Sequence, residues 1–358
     1  MTSGLFARDR HGDADAEPGL VDFAVNVRGG PPPFVAEALT SRIGDLAAYP
    51  SGDDEQRAVK TVAVAHGRTS DEVLLLSGAA EGFELLPRLR SRHAALVQPS
   101  FTEPEIALRA AGIPITDVVL TDPWELDPDA VPDDADLVVV GNPTNPTSVL
   151  HPAAAIERLR RPGRFVVVDE AFADITIDPA TGIPEPESVA YRSHPDLIVI
   201  RSVTKTFGLA GLRAGYLLAA PEVIARLTVG RRPWPLGTLA LTALTACVGP
   251  TGQEYAHGEA RRLAADRAEM VAMLSSAGLE VCGQPRASFL LIRVPRALRV
   301  KQRLRDRGFA VRSAANFVGL DDDHIRLAVR DIATTRTLVD TITAIREEIA
   351  SCPQPSPR

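Results

Sequence analysis

Cysteine is scarce in this sequence: Cys247, Cys282 and Cys352 are the only three in 358 residues. They fit neither a disulfide framework nor a metal-site spacing. The seven histidines are scattered, with no pair at short spacing, so no zinc site is expected. No basic-then-apolar leader opens the chain, and no run approaches the roughly 18 apolar residues of a membrane helix. Positive charge is not in surplus either. A formal net charge of −7 argues against a phosphate-backbone binder, and Arg88, Arg90 and Arg92 read as a solvated helix face. A nucleotide-binding Rossmann turn would need Gly-x-Gly-x-x-Gly after an early strand, and the stretch from Gly78 to Gly82 does not supply one. There are no internal repeats. The expectation is a cytoplasmic, soluble protein without metal, membrane or nucleic-acid partner.

What is present is a chain long enough for two domains, with 45% apolar and 24% charged residues, ordinary for a globular core. The first 32 residues, rich in Gly, Asp and Pro, read as an extended arm ending at Pro31-Pro32-Pro33. Helices are expected over 33–46 and 54–66, the second stopped by Gly67. Short Val/Leu/Ile runs at 73–76, 94–97, 115–120, 137–140, 165–168, 197–200 and 215–218 read as strands buried on both faces, hence a mostly parallel sheet under crossover helices. Pro87 should kink a helix near 79–90. After about residue 250 the texture changes. A long helix over 254–277 precedes strands at 288–294, 310–312 and 325–328. The last helix can be capped by Asp331 and puts Leu338, Ile342, Ile345 and Ile349 on one stripe. The chain therefore divides into an arm and part of a small domain (1–39), a large α/β domain (40–250), a small α+β domain (251–350) and a tail expected to fray (351–358).

Four segments carry chemistry. In Arg201-Ser202-Val203-Thr204-Lys205, a lysine follows a buried strand in a Ser/Thr-rich turn, with Arg213 eight positions on. In Val166-Val167-Val168-Asp169, a carboxylate ends an all-apolar strand, a costly place without a cationic partner. Gly141-Asn142-Pro143-Thr144-Asn145-Pro146-Thr147 follows the 137–140 strand. Leu76-Ser77-Gly78-Ala79-Ala80-Glu81 runs from strand to helix through small residues, and free N–H groups at a helix start favour an anion.

Taken together and in this order, the segments resemble those of fold-type I pyridoxal-phosphate (PLP) enzymes, over roughly residues 10 to 346. The resemblance implies a large, mostly parallel α/β domain with a smaller α+β domain, and PLP held on Lys205 as a Schiff base. A lysine can serve there because desolvation and nearby positive charge free its amine. By the same resemblance Ser202, Arg213, Gly78, Ala79 and Ala80 take the cofactor phosphate, Arg213 through its planar fork. Asp169 pairs with the pyridinium nitrogen and keeps the ring an electron sink. Asn145 donates to the phenolic oxygen, and Phe101 stacks on the ring. Tyr49, in Ala48-Tyr49-Pro50, matches a tyrosine that reaches the neighbouring subunit's phosphate, which implies a homodimer. A catalytically silent relative would lack the lysine or the aspartate, and both are present.

Within this superfamily fold does not fix reaction. The chain resembles both threonine-phosphate decarboxylase of cobalamin biosynthesis and histidinol-phosphate aminotransferase. Ser77 to Leu86 looks like the aminotransferase. His11-Gly12-Asp13 with Asp22 to Asn26, and Val311-Arg312 to Phe317 with His324 to Arg330, look like the decarboxylase. Phe172 stands where the aminotransferase usually has Tyr. Arg326, assisted by Arg312, is expected to bind the substrate carboxylate, with His11, Asn26 and Arg330 as candidates for a substrate phosphate. Relatives usually have an Asn-Pro pair where this chain has Arg28-Gly29, and Asn where it has Gly237. The expected function is decarboxylation of a small phosphorylated amino acid, O-phosphothreonine. The alternative is transamination of the histidinol-phosphate type.

Overall fold

The computed structural model describes residues 15–351. Seven strands form the larger sheet: β2 (Val73–Leu76), β3 (Ala94–Gln98), β4 (Ile115–Val119), β5 (Leu137–Gly141), β6 (Phe165–Asp169), β7 (Leu197–Ser202) and β8 (Gly215–Leu218). Their order is β2-β8-β7-β6-β5-β3-β4. β8 runs antiparallel to β2 and β7, and every other pairing is parallel. Side chains alternate across a strand. Val166 and Val168 of β6 enter one core with Val199 of β7, while Val167, Ile198 and Ile200 enter the core on the opposite face. Each such buried valine contributes roughly 1.5–3 kcal/mol. Covering both faces is what the continuous apolar runs require.

A third core lies around the smaller antiparallel sheet, β12-β13-β10-β9, built from Arg312–Ser313, His324–Ala328, Phe289–Arg293 and Glu280–Val281. Beside it β1 (Val21–Asp22) pairs in parallel with β11 (Phe309–Ala310), so the start of the described chain joins the C-terminal elements. The last helix, Ile332–Ser351, sends Leu338, Ile342, Ile345 and Ile349 into this core. The Asp331 carboxylate accepts from Thr334 N at 2.9 Å and caps it, as the sequence predicts.

Some boundaries differ from the sequence reading. The helix expected over 33–46 stops at Thr40, and a 3₁₀ turn, Ile43–Ala47, follows. Pro87 ends a helix rather than kinking it: Ala79–Leu85 is α-helical and Leu86–Leu89 is a 3₁₀ turn, because the proline has no N–H to donate. The second helix begins earlier, at Gly52, with Ser51 Oγ accepting from Asp54 N at 3.1 Å. The long helix begins at Pro250, where proline is tolerated in the first turn. Ser351 is the last residue of the last helix, and the rest of the expected tail falls outside the described residues.

Candidate active site

Six neighbouring strands deliver side chains to one edge of the large sheet. Parallel strands end there at their C-termini, where open α/β sheets bind ligands. Antiparallel β8 begins there instead, so Arg213, two residues before it, meets the residues that follow the other strands. Across the sheet the order is Ala79 and Ala80 after β2, Arg213 before β8, Ser202 and Lys205 at β7, Asp169 at β6, Asn145 after β5 and Phe101 after β3. All of them line one cleft of about 540 Å³. Its far wall comes from Asn26, Arg312, Asn316, Phe317 and Arg326.

At one end of the cleft the backbone is shaped for close approach. Gly78 has φ +79°, and a Cβ there would lie 2.6 Å from Arg213 Nη2. A Cβ on Gly215 would lie 2.7 Å from the Arg201 carbonyl and 3.0 Å from Ala79 N. Arg213 itself has φ +57°, a left-handed conformation that a side-chain-bearing residue adopts at a cost. Thus Gly78 makes room for the Arg213 guanidinium and Gly215 for the backbone at the start of the Ala79–Leu85 helix, whose first amides have no intrahelical acceptor. Ser202 Oγ and Thr204 Oγ1 lie 2.7 Å apart beside them. This donor set fits a phosphate.

In the middle, Asp169 Oδ1 accepts from Ala171 N at 3.1 Å. Burial raises the Asp169 carboxyl to about 6, and the Lys205 charge acts in the opposite direction. Lys205 Nζ lies 6.0 Å from the centre of the Phe172 ring, which packs edge-on against Phe289 at 4.9 Å. A buried carboxylate in this position suits a protonated ring nitrogen, and a nearby amine suits an aldehyde. Together with the phosphate cradle, these residues fit PLP.

At the other end stand two buried arginines. Arg326 Nη1 donates to Asn145 Oδ1 at 2.7 Å and Nη2 to the Ala24 carbonyl at 2.6 Å, while its buried Nε has no partner. Burial, followed by the charge of Arg312, holds the Arg326 guanidinium down to about 9. Arg312 Nη2 donates to Asn316 Oδ1 at 2.9 Å. Arg312 Nη1 also lies 4.0 Å from Asp15 Oδ2, whose other oxygen pairs with Lys301, so positive charge stays in surplus at this wall and suits an anion. Asn26 lines the same cleft, and its buried Oδ1 has no partner.

Two expected site residues lie elsewhere, and a third falls outside the described residues. Arg330 does not line the cleft. Its guanidinium donates to the carbonyls of Asp22 at 2.7 Å and Val25 at 2.9 Å, which pins the N-terminal segment instead of facing a substrate. Tyr49 is 75% exposed and stacks on Trp234 at 4.4 Å, away from its own chain's cleft. His11 lies outside the described residues. Conversely, the sequence reading includes Asn26 but omits Thr204, Asn316 and the rest of the strap Ala24–Val27 from the site. Asn316 was open to discovery as the residue four positions after Arg312. The strap was not, because its place depends on backbone bonds to Arg326 and Arg330.

Among the described residues no helix is long and apolar enough to cross a membrane, and no cluster of His, Cys, Asp or Glu could hold a metal ion. A profile of the aminotransferase class I and II family matches residues 18–342. The chain is 55% identical over 331 residues to a histidinol-phosphate aminotransferase of Mycobacterium tuberculosis, covering 92% of this chain and 89% of that one. It is 28% identical over 344 residues to the threonine-phosphate decarboxylase of Salmonella typhimurium, covering 92% of each. In fold it is similar to the histidinol-phosphate aminotransferase of Clostridium acetobutylicum, with TM-score 0.83, 24% identity, and coverage of 92% of this chain and 100% of that one. The protein is therefore a PLP-dependent enzyme of fold type I, and it belongs to the aminotransferase class I and II family.

Proposed function

We propose that this enzyme is an aminotransferase acting on a small phosphorylated amine of the histidinol-phosphate type. The observation that carries the reading is the likeness to the mycobacterial aminotransferase across nearly the whole chain. It displaces phosphothreonine decarboxylation, the leading expectation from the sequence, to second place. The cleft supports the choice chemically. A transaminase must accept two substrates in turn, and paired arginines can hold either a phosphate or a carboxylate.

The bound cofactor supplies an electron sink for the substrate carbon that bears the amine. Lys205 would hold the cofactor through its amine and, when that amine is free, would carry the proton to and from the substrate carbon. Asp169, its charge preserved by pairing, keeps the ring nitrogen protonated. Ser202, Arg213 and the amides of Ala79 and Ala80 hold the cofactor phosphate, with Gly78 leaving room for Arg213. Asn145 and Phe101 fix the ring. Arg326, assisted by Arg312 and Asn26, would bind and orient the substrate anion, and that orientation decides which bond at the amine-bearing carbon is broken. The active unit is a homodimer in which the exposed Tyr49 of each protomer serves the partner's cofactor phosphate.

Decarboxylation of O-phospho-L-threonine is the second reading, favoured by Phe172, which cannot donate a hydroxyl to the cofactor. The two are separated by adding each substrate to the PLP-loaded enzyme. Loss of the visible cofactor band with histidinol phosphate, restored by 2-oxoglutarate and without CO₂, supports the aminotransferase. CO₂ release from phosphothreonine with the band intact overturns it.

A further inference from the structure

We propose that Arg201 and Glu170 are positioning residues: a buried ion cluster behind the sheet that fixes the spacing between Asp169 and Ser202. The inference rests on the reading that those two residues hold opposite ends of the cofactor.

Asp169 and Ser202 line the cleft, and their chain neighbours Glu170 and Arg201 do not. Side chains alternate along β7, so Arg201 lies behind Ser202, and its contact with Glu170 puts that carboxylate there too. The ladder fixes this relation. Asp169 pairs with Ile200, and Glu170 N donates to the Ile200 carbonyl at 2.8 Å. Behind the sheet, Arg201 Nη1 lies 2.8 Å from Glu170 Oε2 and 2.8 Å from Glu185 Oε2. Glu170 and Arg201 are 1% and 4% exposed, so neither charge is screened by water.

The remaining bonds tie the cluster to the other strand end that serves the site. Ser188 Oγ and Val189 N each donate to the Glu170 carboxylate at 2.7 Å. Glu187 accepts from Ala153 N through its carboxylate at 2.7 Å and from Asn142 Nδ2 through its carbonyl at 3.3 Å. Asn142 N in turn donates to the Asp169 carbonyl at 2.8 Å. Asn142 is three residues before Asn145, so one buried network reaches the loops of β5, β6 and β7.

Two features argue against a passive ion pair. Glu185 has φ +49°, a conformation costly for a residue with a side chain, and it is held there facing Arg201. Glu170 is also one of the charges that raise the Asp169 carboxyl, after burial. Arg201 neutralises Glu170 and so protects the charge that Asp169 needs.

The test uses two conservative variants of the full chain, Arg201→Lys and Glu170→Gln. Lysine keeps the charge without the fork, and glutamine keeps the shape without the charge. PLP affinity is measured by titrating cofactor-free protein and following the visible band. The melting temperature of the cofactor-free protein is measured beside it. We expect PLP binding about tenfold weaker or worse in both variants, equivalent to about 1.4 kcal/mol, and a lower kcat at unchanged KM. The affinity loss should exceed what the change in melting predicts. Unaltered affinity in both variants, with or without lower melting, overturns the positioning role alone. If the unaltered protein itself develops no visible band with PLP, the cofactor reading fails and this proposal falls with it.

Discussion

Arg326 and Asn145 share a 2.7 Å hydrogen bond, donated from Nη1 of the arginine to Oδ1 of the amide. The bond joins the smaller sheet to the loop after β5 in the larger one, directly at the cleft. It uses Asn145's acceptor and leaves its amide N–H₂, which under the proposed function would donate toward the cofactor oxygen. It also fixes the guanidinium in the wall of the cleft beside Arg312. Under the proposed function, one contact would thereby position both cofactor ring and substrate anion.

Arg326→Ala should therefore act mainly on substrate binding. Removing one partner of a buried charged contact costs about 2–5 kcal/mol, so KM should rise roughly 30-fold or more. The loss should not add to that of Asn145→Ala, because the two share a hydrogen bond. Steady-state kinetics of both single variants and the double variant check this. An unchanged KM in Arg326→Ala would move the anion site elsewhere.

Asp169 gives a prediction whose sign depends on pH. Its carboxyl is raised by burial from 3.8 to about 6 in the folded, cofactor-free protein. Between those values the folded state holds a proton that the unfolded chain has released. Stability therefore falls as pH rises from about 4 to about 6, by an amount on the order of 2–3 kcal/mol. Asp169→Asn removes this penalty. The variant should melt higher than the unaltered cofactor-free protein at pH 8 and show no such gain at pH 4, while its turnover drops by orders of magnitude. Thermal melts at the two pH values decide the matter. An equal gain at both would attribute the effect to packing instead of charge.

The parts of the fold legible in the sequence are those set by local pattern. A valine run ending in Asp169 states both a doubly covered strand and an unusual carboxylate, and the order of motifs around Lys205 states their common purpose. Strand direction is not written in such a run. Nothing in Gly215–Leu218 distinguishes an antiparallel strand from a parallel one, and the stretch between β7 and β8 carries Lys205 and Arg213 in place of a crossover helix.

Side-chain direction beyond a strand's end is equally hidden. Arg326 and Arg330 stand four apart, and alternation would give them one face. But β13 ends at Ala328, so Arg330 turns to the strap while Arg326 enters the cleft. Which polar residues of the strap reach the site depends on these long-range bonds. Asn26 could be read from the sequence by resemblance, whereas its buried, unpartnered Oδ1 could not.

The exposed stack of Tyr49 on Trp234 leads to the last prediction. Tyr49 is absent from its own cleft yet resembles a phosphate-binding tyrosine, so it must act on another copy if it acts at all. In a twofold dimer each site would then combine Lys205 of one protomer with Tyr49 of its partner. A Tyr49→Ala chain and a Lys205→Ala chain, each crippled alone, can be unfolded, mixed in equal amounts and refolded together. Every mixed dimer contains one intact site and one doubly damaged site. If half the dimers are mixed, activity should recover to about a quarter of that of the unaltered enzyme. If Tyr49 served its own chain's site, mixing would give no recovery, because every site in a mixed dimer would carry one defect. Purified mixed dimers, isolated with two different tags, make the comparison independent of how evenly the chains assort.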